Sequence, residues 1–213
     1  MKRIFLAAAM MLALAPMAWA AQPAANAPGQ DSKAYDLARI EKYLNNLRTL
    51  KADFLQSTDD GRVAQGKLYL QRPGRLRVEY SPPTPVLIVS DGQRVFYYDS
   101  ELGQVNSGSL SDTPAGVLVR DKYEFGKGIK VVGYERGPNV IRVSLQDVQN
   151  ADAGILDLTF EDNPLSLKQW RIVDQQGVEI TVALSNERRD VPLEPKLFQF
   201  TDPTKQQAPF GVQ

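Results

Sequence analysis

The run LQRPGRLRVEY, residues 70–80, decides the fold. Within it Leu76, Val78 and Tyr80 alternate with charged residues, which predicts a β-strand with one dry face and one wet face. The RPG triplet at 72–74 predicts a turn that separates this strand from the one before it. The run therefore predicts an antiparallel hairpin whose dry face must be covered by other parts of the chain.

The same two-residue period continues on both sides of this run. It is visible from Phe54 in an earlier strand and from Gly66 in the next, and Asp91-Gly92 is typical of a hairpin turn. Later alternating runs occupy residues 86–89, 95–98, 129–134, 140–145, 155–160, 167–172 and 178–184. Phe198 and Phe200 are expected to add a last short strand. The chain is predicted to be mainly β, with about ten antiparallel strands.

Two helices are predicted where this period is lost, which makes the fold class mainly β (α+β). The first follows a cap at Asp31 or Ser32 and has about four turns. Its apolar residues recur at three- and four-residue steps: Leu37, Ile40, Leu44 and Leu47. Thr113-Pro114 predicts a second, short helix that carries Val117 and Leu118.

Composition excludes several classes of function. The sequence has His 0 and Cys 0, which rules out imidazole bases, Ser-His triads, thiol nucleophiles and His or Cys zinc sites. Lys+Arg 25 equals Asp+Glu 25, so a nucleic-acid partner has no electrostatic footprint. A hydrolase with two carboxylates is the enzymatic alternative, but Asp91 belongs to a turn and Asp157 and Glu161 to outward strand positions. The composition favours a binding protein with no catalytic residue, cofactor or metal.

The first twenty residues predict a signal peptide. Lys2 and Arg3 precede a short apolar run, and Ala18-Trp19-Ala20 offers the small residues that a signal peptidase reads, so we expect cleavage after Ala20 and a periplasmic location. A short membrane anchor that is retained is the alternative. Residues 21–30 are expected to form a disordered spacer, residues 31–203 a single domain and residues 204–213 a frayed tail.

The inner face of the predicted sheet raises a question that the pattern leaves open. An antiparallel sheet of this size curls, and its concave face must be kept from water by the two helices. Either side chains fill the interior or a greasy cavity remains, and both fit the pattern. The concave face carries Leu68, Leu70, Leu76, Val78, Tyr80, Trp170, Ile172, Ile180 and Val182.

Several segments resemble the LolA family, the periplasmic carriers of outer-membrane lipoproteins. The resemblance is sharpest in residues 70–80, 85–92 and 95–99, with support from residues 54–56, 66–70, 104–105 and 113–114. It implies an incomplete antiparallel β-barrel (half-barrel) with helices forming a lid over a hydrophobic cavity. The cavity residues would be Phe54, Leu68, Leu70, Leu76, Val78, Tyr80, Trp170, Ile180 and Val182. The lid residues would be Leu37, Ile40, Leu44, Val117 and Leu118.

The resemblance also implies a switch and a set of partners. Arg72 matches the arginine of the family's Arg-Pro motif, which contacts the lid's backbone and keeps an empty cavity shut. The partners would be acylated outer-membrane lipoproteins, an inner-membrane lipoprotein-releasing ABC transporter, and an outer-membrane acceptor or the membrane itself, with the carrier a monomer. Ala115 and Gly116 are smaller than the family's usual residues, which predicts a larger cavity or a looser lid. A periplasmic lipid- or peptide-binding sensor or assembly module on the same half-barrel is the alternative.

Overall fold

Two helices and eleven strands are present in residues 28–173 and 177–207, the part of the chain that this computed structural model describes. The helices are α1 (Pro28–Asn46) and α2 (Pro114–Leu118). The strands are β1 (Thr49–Thr58), β2 (Val63–Gln71), β3 (Arg75–Tyr80), β4 (Val86–Asp91), β5 (Arg94–Asp99), β6 (Gln104–Ser109), β7 (Ile129–Gly137), β8 (Val140–Asp147), β9 (Ile155–Glu161), β10 (Ser166–Val173) and β11 (Glu179–Arg189).

Helix α1 begins earlier than the sequence predicts, at Pro28 and not at Asp31 or Ser32. The last three residues of the expected spacer therefore belong to the helix. The predicted signal peptide, residues 21–27 and residues 208–213 of the expected tail lie outside the described residues. Within the described residues, neither helix is long and apolar enough to cross a membrane.

All eleven strands form one antiparallel sheet in the order β6-β5-β4-β3-β2-β1-β11-β10-β9-β8-β7. Strand β1 pairs with β2 on one side and with β11 on the other, so it joins two meanders of hairpin-connected strands. In the described part of the chain β6 and β7 are the two edges, and the sheet is not closed. The prediction of a mainly β, incomplete antiparallel barrel is confirmed.

The end of the chain and one edge strand differ from the prediction. The expectation of a last strand at Phe198 and Phe200 is wrong, because the chain there forms a 3-10 turn, Pro195–Phe198. Phe198 is buried and Phe200 stacks on Phe96, with ring centroids 4.9 Å apart, so both cover apolar residues on the outer face of the sheet. Strand β6 was not predicted because its residues are polar or small and mostly exposed, so they carry no alternating apolar signal.

The inner face is built from rows of side chains that lie opposite each other on neighbouring strands. Leu70 faces Leu50 and Leu76 across the sheet, and Gly66 lies between Phe54 and Tyr80. A Cβ at position 66 would clash with the Glu79 main-chain carbonyl and meet the Phe54 ring at 2.9 Å, so only glycine fits there. The Phe54 and Tyr80 rings on either side of it meet edge to face, 5.2 Å apart. The buried face of α1 packs on these rows through Ile40 and Leu44, and Leu47 joins the same core directly after the helix.

Candidate functional site

The nine predicted cavity residues all lie on the inner face, and most of them are packed. Six are buried in one hydrophobic core together with the buried residues of α1 and α2. We call this group the sealed end: Phe54, Leu68, Leu70, Leu76, Trp170 and Val182. The other three, Val78, Tyr80 and Ile180, are only half-buried and pack against the edge of that core. The inner face thus has a filled part under the helices and a partly uncovered part.

The uncovered part is apolar, although it touches water. We call it the open end and define it as Val78, Tyr80, Ile88, Tyr97, Ile172 and Ile180. Val78 lies opposite Ile88 on β4, and Ile88 lies opposite Tyr97 on β5, so these three side chains form a row across the sheet. Tyr97 is 40% exposed. An apolar row that continues the core but remains accessible is a surface to which an apolar ligand can bind.

A single polar contact interrupts the open end. The Tyr80 hydroxyl donates a hydrogen bond of 2.6 Å to Gln56 Oε1. Burial, followed by the nearby Tyr97, raises the pKa of Tyr80 to about 12, although the bond to Gln56 acts in the opposite direction. The hydroxyl therefore stays protonated and neutral, and the open end carries no charge at this position.

Two surface clefts of the described chain lie elsewhere. One has a volume of about 350 Å³ and lies between the Pro73-Gly74 turn and the end of α2, with Leu110 and Val119 in its wall. The other has about 280 Å³ and includes Phe160 on β9. Neither cleft is lined by any of the nine predicted residues, so the predicted acyl cavity stays a prediction that requires movement of the helices.

Arg72 lies where β2 ends and both helices meet. It is 6% exposed, and its guanidinium donates to four main-chain carbonyl oxygens. On the α1 side, Nη1 donates to Leu44 O and, at 3.2 Å, to Leu47 O. Beyond α2, Nε donates to Arg120 O at 2.5 Å and Nη2 to Asp121 O at 2.8 Å. The terminal carbonyls of a helix have no partner within the helix, so one arginine satisfies such groups on both sides.

No carboxylate accepts a hydrogen bond from Arg72 among the described residues. Its positive charge is stabilised by the dipoles of its carbonyl acceptors and by an aromatic ring. Burial lowers the pKa of Arg72 from its ordinary value, and the neighbouring Arg48 lowers it further. The guanidinium lies 4.7 Å from the centroid of the Tyr123 ring, which adds a cation–π contact. Gly74 follows two residues later with φ +74°, and its N–H donates to Val119 O at 2.8 Å. The turn after β2 is therefore bonded to the residues that follow α2.

The lid residues occupy the positions that the helical period predicts. Ile40 and Leu44 of α1 and Val117 and Leu118 of α2 are buried in the core, whereas Leu37 is half-buried. They cover the sealed end and leave the open end partly uncovered. Their role as a movable lid stays a prediction.

A buried ionic cluster fixes the first half of α1 to the sheet. Asp36 is 0% exposed and accepts hydrogen bonds from Arg136 and, at 2.8 Å, from Tyr134. Arg39 bridges Asp36 and Asp162, at 3.3 and 2.8 Å, and Arg136 also reaches Asp162 at 2.6 Å. Burial alone would raise the pKa of Asp36, but the bonds from Arg136 and Tyr134 outweigh it and hold the pKa below its ordinary value.

Sequence reasoning missed this cluster, although a signal was present. Asp36 precedes Ile40 by four residues and Tyr43 by seven, so it lies on the apolar stripe of α1. A carboxylate on a buried stripe needs partners, and this requirement predicts nearby cations. The distant partners themselves, Tyr134 and Arg136, are about a hundred residues away and only the fold brings them to Asp36.

The carboxylates considered for catalysis have structural contacts. Asp91 Oδ1 accepts the N–H groups of Gln93 and Arg94, both at 2.9 Å, as expected of a turn. Asp157 pairs with Arg171 at 2.6 Å. Within residues 28–173 and 177–207, no group of three or more acidic side chains is placed to hold a metal ion.

Comparison with known proteins agrees with this architecture. A family model described as "Outer membrane lipoprotein carrier protein LolA" matches residues 45–201. The chain belongs to the LolA family. The matched residues run from the end of α1 through the whole sheet to Thr201, so they include both the sealed end and the open end.

Individual LolA-family relatives cover most of the chain. An "Outer-membrane lipoprotein carrier protein" of Methylococcus capsulatus is 34% identical over 176 residues, which is 78% of this chain and 83% of the relative. A protein of the same description from Chromobacterium violaceum is 30% identical over 203 residues, 91% of this chain and 96% of the relative. Among solved structures, a LolA superfamily protein from Nitrosomonas europaea has a TM-score of 0.44 at 10% identity, over 76% of this chain and 97% of that chain. The family is named for carriage and not for a reaction.

Proposed function

We propose that this LolA-family protein is a periplasmic carrier of acylated lipoproteins. It takes its cargo from an inner-membrane ABC transporter, shelters the acyl chains against the inner face of the sheet, and delivers them to an acceptor at the outer membrane or to the membrane itself. The observation that carries the proposal is the open end, an apolar, partly exposed surface that continues the core of a LolA-family sheet. No catalytic step is needed for this task.

The free energy of exposing an acyl chain to water sets how much stabilisation the carrier must provide. Exposing acyl CH₂ groups costs about 0.8 kcal/mol each, so a chain of about sixteen carbons costs on the order of 12 kcal/mol in water. The six apolar side chains of the open end offer a first contact for such a chain. The remaining length requires the sealed end, whose residues are packed under the helices.

Loading therefore requires the lid to move. Hydrogen bonds to a charged group contribute about 1.5 to 3 kcal/mol each, and Arg72 makes four of them to the two sides of the lid. This total, about 6 to 12 kcal/mol, does not exceed the cost of exposing one acyl chain, so cargo binding can offset it. The lid closes again when the cargo leaves, and transfer stays reversible without a nucleotide.

The proposal is tested by uptake of a defined probe. The chain without its predicted signal peptide is mixed with a triacylated cysteine lipopeptide that carries a fluorophore, and binding is measured by native mass spectrometry and by fluorescence. Val78→Thr places a hydroxyl in the open end, and we expect it to weaken binding about fivefold because that hydroxyl would be desolvated by the acyl chain. Val63→Thr is the matched control, since Val63 is 64% exposed and lies opposite Ser57 on the outer face. Absence of uptake by the unmodified chain, or equal losses in the two variants, contradicts the proposal.

A peptide-binding sensor or assembly module is the second candidate, and the two sheet edges favour it. Strands β6 and β7 each have a ladder partner on one side only within the described residues, and an extended peptide can add to such an edge. An apolar peptide without acyl chains, used as a competitor in the same assay, separates the two functions. A carrier binds the lipopeptide in the presence of this peptide, whereas a peptide module loses it.

A further inference from the structure

Tyr123 lies at the junction of the two helices and has no part in the function proposed so far. It follows α2 by five residues and is 0% exposed. It is among the largest fully buried side chains of the described chain, yet it stands in a loop and not on a strand or helix. A loop tyrosine at this depth requires a partner for its hydroxyl.

The hydroxyl, the main chain and the ring of Tyr123 each contact a different part of the lid region. The hydroxyl shares its one proton between two carbonyls of α2, Val117 O at 2.7 Å and Leu118 O at 2.9 Å. Its main chain forms a pair of bonds with Asn45 at the end of α1: the Tyr123 N–H donates to Asn45 Oδ1 at 2.9 Å, and Asn45 Nδ2 donates to Tyr123 O at 3.0 Å. The ring face contacts the Arg72 guanidinium at 4.7 Å.

With these contacts, each of the five consecutive main-chain carbonyls of residues 117–121 accepts a hydrogen bond. Tyr123 holds those of Val117 and Leu118, the Gly74 N–H holds that of Val119, and Arg72 holds the two that follow, at residues 120 and 121. Helix α2 has only five residues, and its N-cap, Thr113, makes no side-chain capping bond. The position of α2 therefore depends on the core contacts of Val117 and Leu118 and on the donors at its C-terminal end.

We propose that Tyr123 is a positioning residue that links α1, α2 and Arg72, so that the two helices of the lid are released together. The Asn45 bonds attach the Tyr123 main chain to α1, and the hydroxyl attaches the same residue to α2. Arg72 cannot leave the ring of Tyr123 without losing a buried cation–π contact. Burial raises the pKa of Tyr123 above its ordinary value, so its hydroxyl remains a donor at neutral pH.

The inference concerns the lid of the proposed carrier, but its test does not need cargo. Tyr123→Phe removes only the hydroxyl, and hydrogen exchange followed by mass spectrometry on the full mature chain reports the local result. We expect peptides covering residues 114–121 to exchange about tenfold faster, because the Leu118 carbonyl loses its side-chain donor and the Val117 carbonyl keeps only weaker backbone bonds, such as that from the Arg120 N–H at 3.5 Å. Tyr134→Phe is the matched control: it removes a hydroxyl whose bond to Asp36 is 2.8 Å long, and residues 114–121 should exchange as in the parent chain.

A second variant protects the test against loss of the fold. Asn45→Ala cuts the link on the α1 side, and we expect faster exchange both in residues 114–121 and in the loop around residue 123. A general loss of stability would instead raise exchange throughout the sheet in step with the urea midpoint. Unchanged exchange of residues 114–121 in Tyr123→Phe, or an increase that only follows the urea midpoint, overturns the inference. Failure of the parent chain to take up lipopeptide contradicts the carrier function alone, because the exchange result is read without cargo.

Discussion

The two helices that cover the inner face are held in different ways. Helix α1 is fixed by side chains along its length: Asp36 and Arg39 in the ionic cluster, and Glu41, whose carboxylate accepts the Phe125 N–H at 2.7 Å. Helix α2 has no such ionic contacts among the described residues: it is held by the core packing of Val117 and Leu118 and by donors on Tyr123, Gly74 and Arg72 to the carbonyls at and after its C-terminus. The first half of α1 is thus fixed to the sheet, whereas the end of α1 and α2 are bonded to each other through Asn45, Tyr123 and Arg72. For the proposed lid, we expect opening at α2 and the end of α1 together, with the first half of α1 and the sheet unchanged.

The largest effect is expected from Arg72→Leu. This change removes the donors to four carbonyls on the two sides of the lid, so the closed empty state is destabilised relative to the loaded state. We expect lipopeptide to stay bound and its transfer to acceptor membranes to slow at least about tenfold, the equivalent of one lost charged hydrogen bond. Arg72→Lys keeps the charge but loses the planar set of donors. Its rate of transfer should therefore lie between those of the parent chain and Arg72→Leu. Normal release by Arg72→Leu would show that Arg72 does not hold the lid.

Asp36→Asn tests the fixed helix and should have the next largest effect. It removes a buried carboxylate that accepts bonds from Arg136, Arg39 and Tyr134, and we expect a loss of about 2 kcal/mol in the free energy of unfolding. Urea denaturation measures the loss, and exchange of residues 114–121 should not change more than that of the sheet. Asp157→Asn on the outer face of β9 is the control, with an expected loss below about 1 kcal/mol. A selective release of α2 in Asp36→Asn would break the distinction between the helices.

Low pH should weaken the contacts of α1 with the sheet by protonating the same residue, Asp36. Because the pKa of Asp36 is lower in the folded chain than its ordinary value of 3.8, the folded state favours the ionised form. The stabilisation is complete above the ordinary carboxyl range and is lost as the pH falls from about 4 through the lower folded pKa. Urea midpoints measured across this range should fall in the parent chain and fall less in Asp36→Asn. Equal slopes in the two chains would contradict an ionised Asp36 in the fold.

The smallest effect is expected at a site remote from both helices. Phe200→Leu removes the ring stacked on Phe96 on the outer face, and such aromatic pairs contribute about 1 kcal/mol. The urea midpoint should fall slightly, while exchange in α2 and lipopeptide binding stay at the parent values. A change in binding would mean that the outer face also acts on the lid.

Much of the sheet is predictable from local pattern, but the contacts that hold the lid are not. The strand β3 is predictable because its period of two is local and visible in Leu76, Val78 and Tyr80. The apolar face of α1 is predictable in the same way from Leu37, Ile40 and Leu44. Strand β6 gives no such signal, since an exposed edge of polar and small residues buries nothing. Phe198 and Phe200 alternate as in a strand, but both pack on the apolar outer face of β3 to β5. Phe198 ends a 3-10 turn there, and Phe200 follows it.

The functional contacts are long-range, and this is why sequence alone does not give them. Arg72 was identified through the family's motif, and its four acceptors are main-chain carbonyls that carry no residue identity. The same holds for Tyr123, whose hydroxyl binds carbonyls of Val117 and Leu118. Side-chain patterns report burial well, but they do not report which backbone groups need a donor.

The unpaired edges at β6 and β7 have a mechanical consequence. In a closed barrel a change of girth must break or shift ladder bonds, because strand number and stagger fix the diameter. Here the rim between the two edges can widen or narrow by bending the sheet, and every ladder from β6 round to β7 is kept. For the proposed carrier, one sheet would then accommodate cargo of different thickness without breaking hydrogen bonds between its strands.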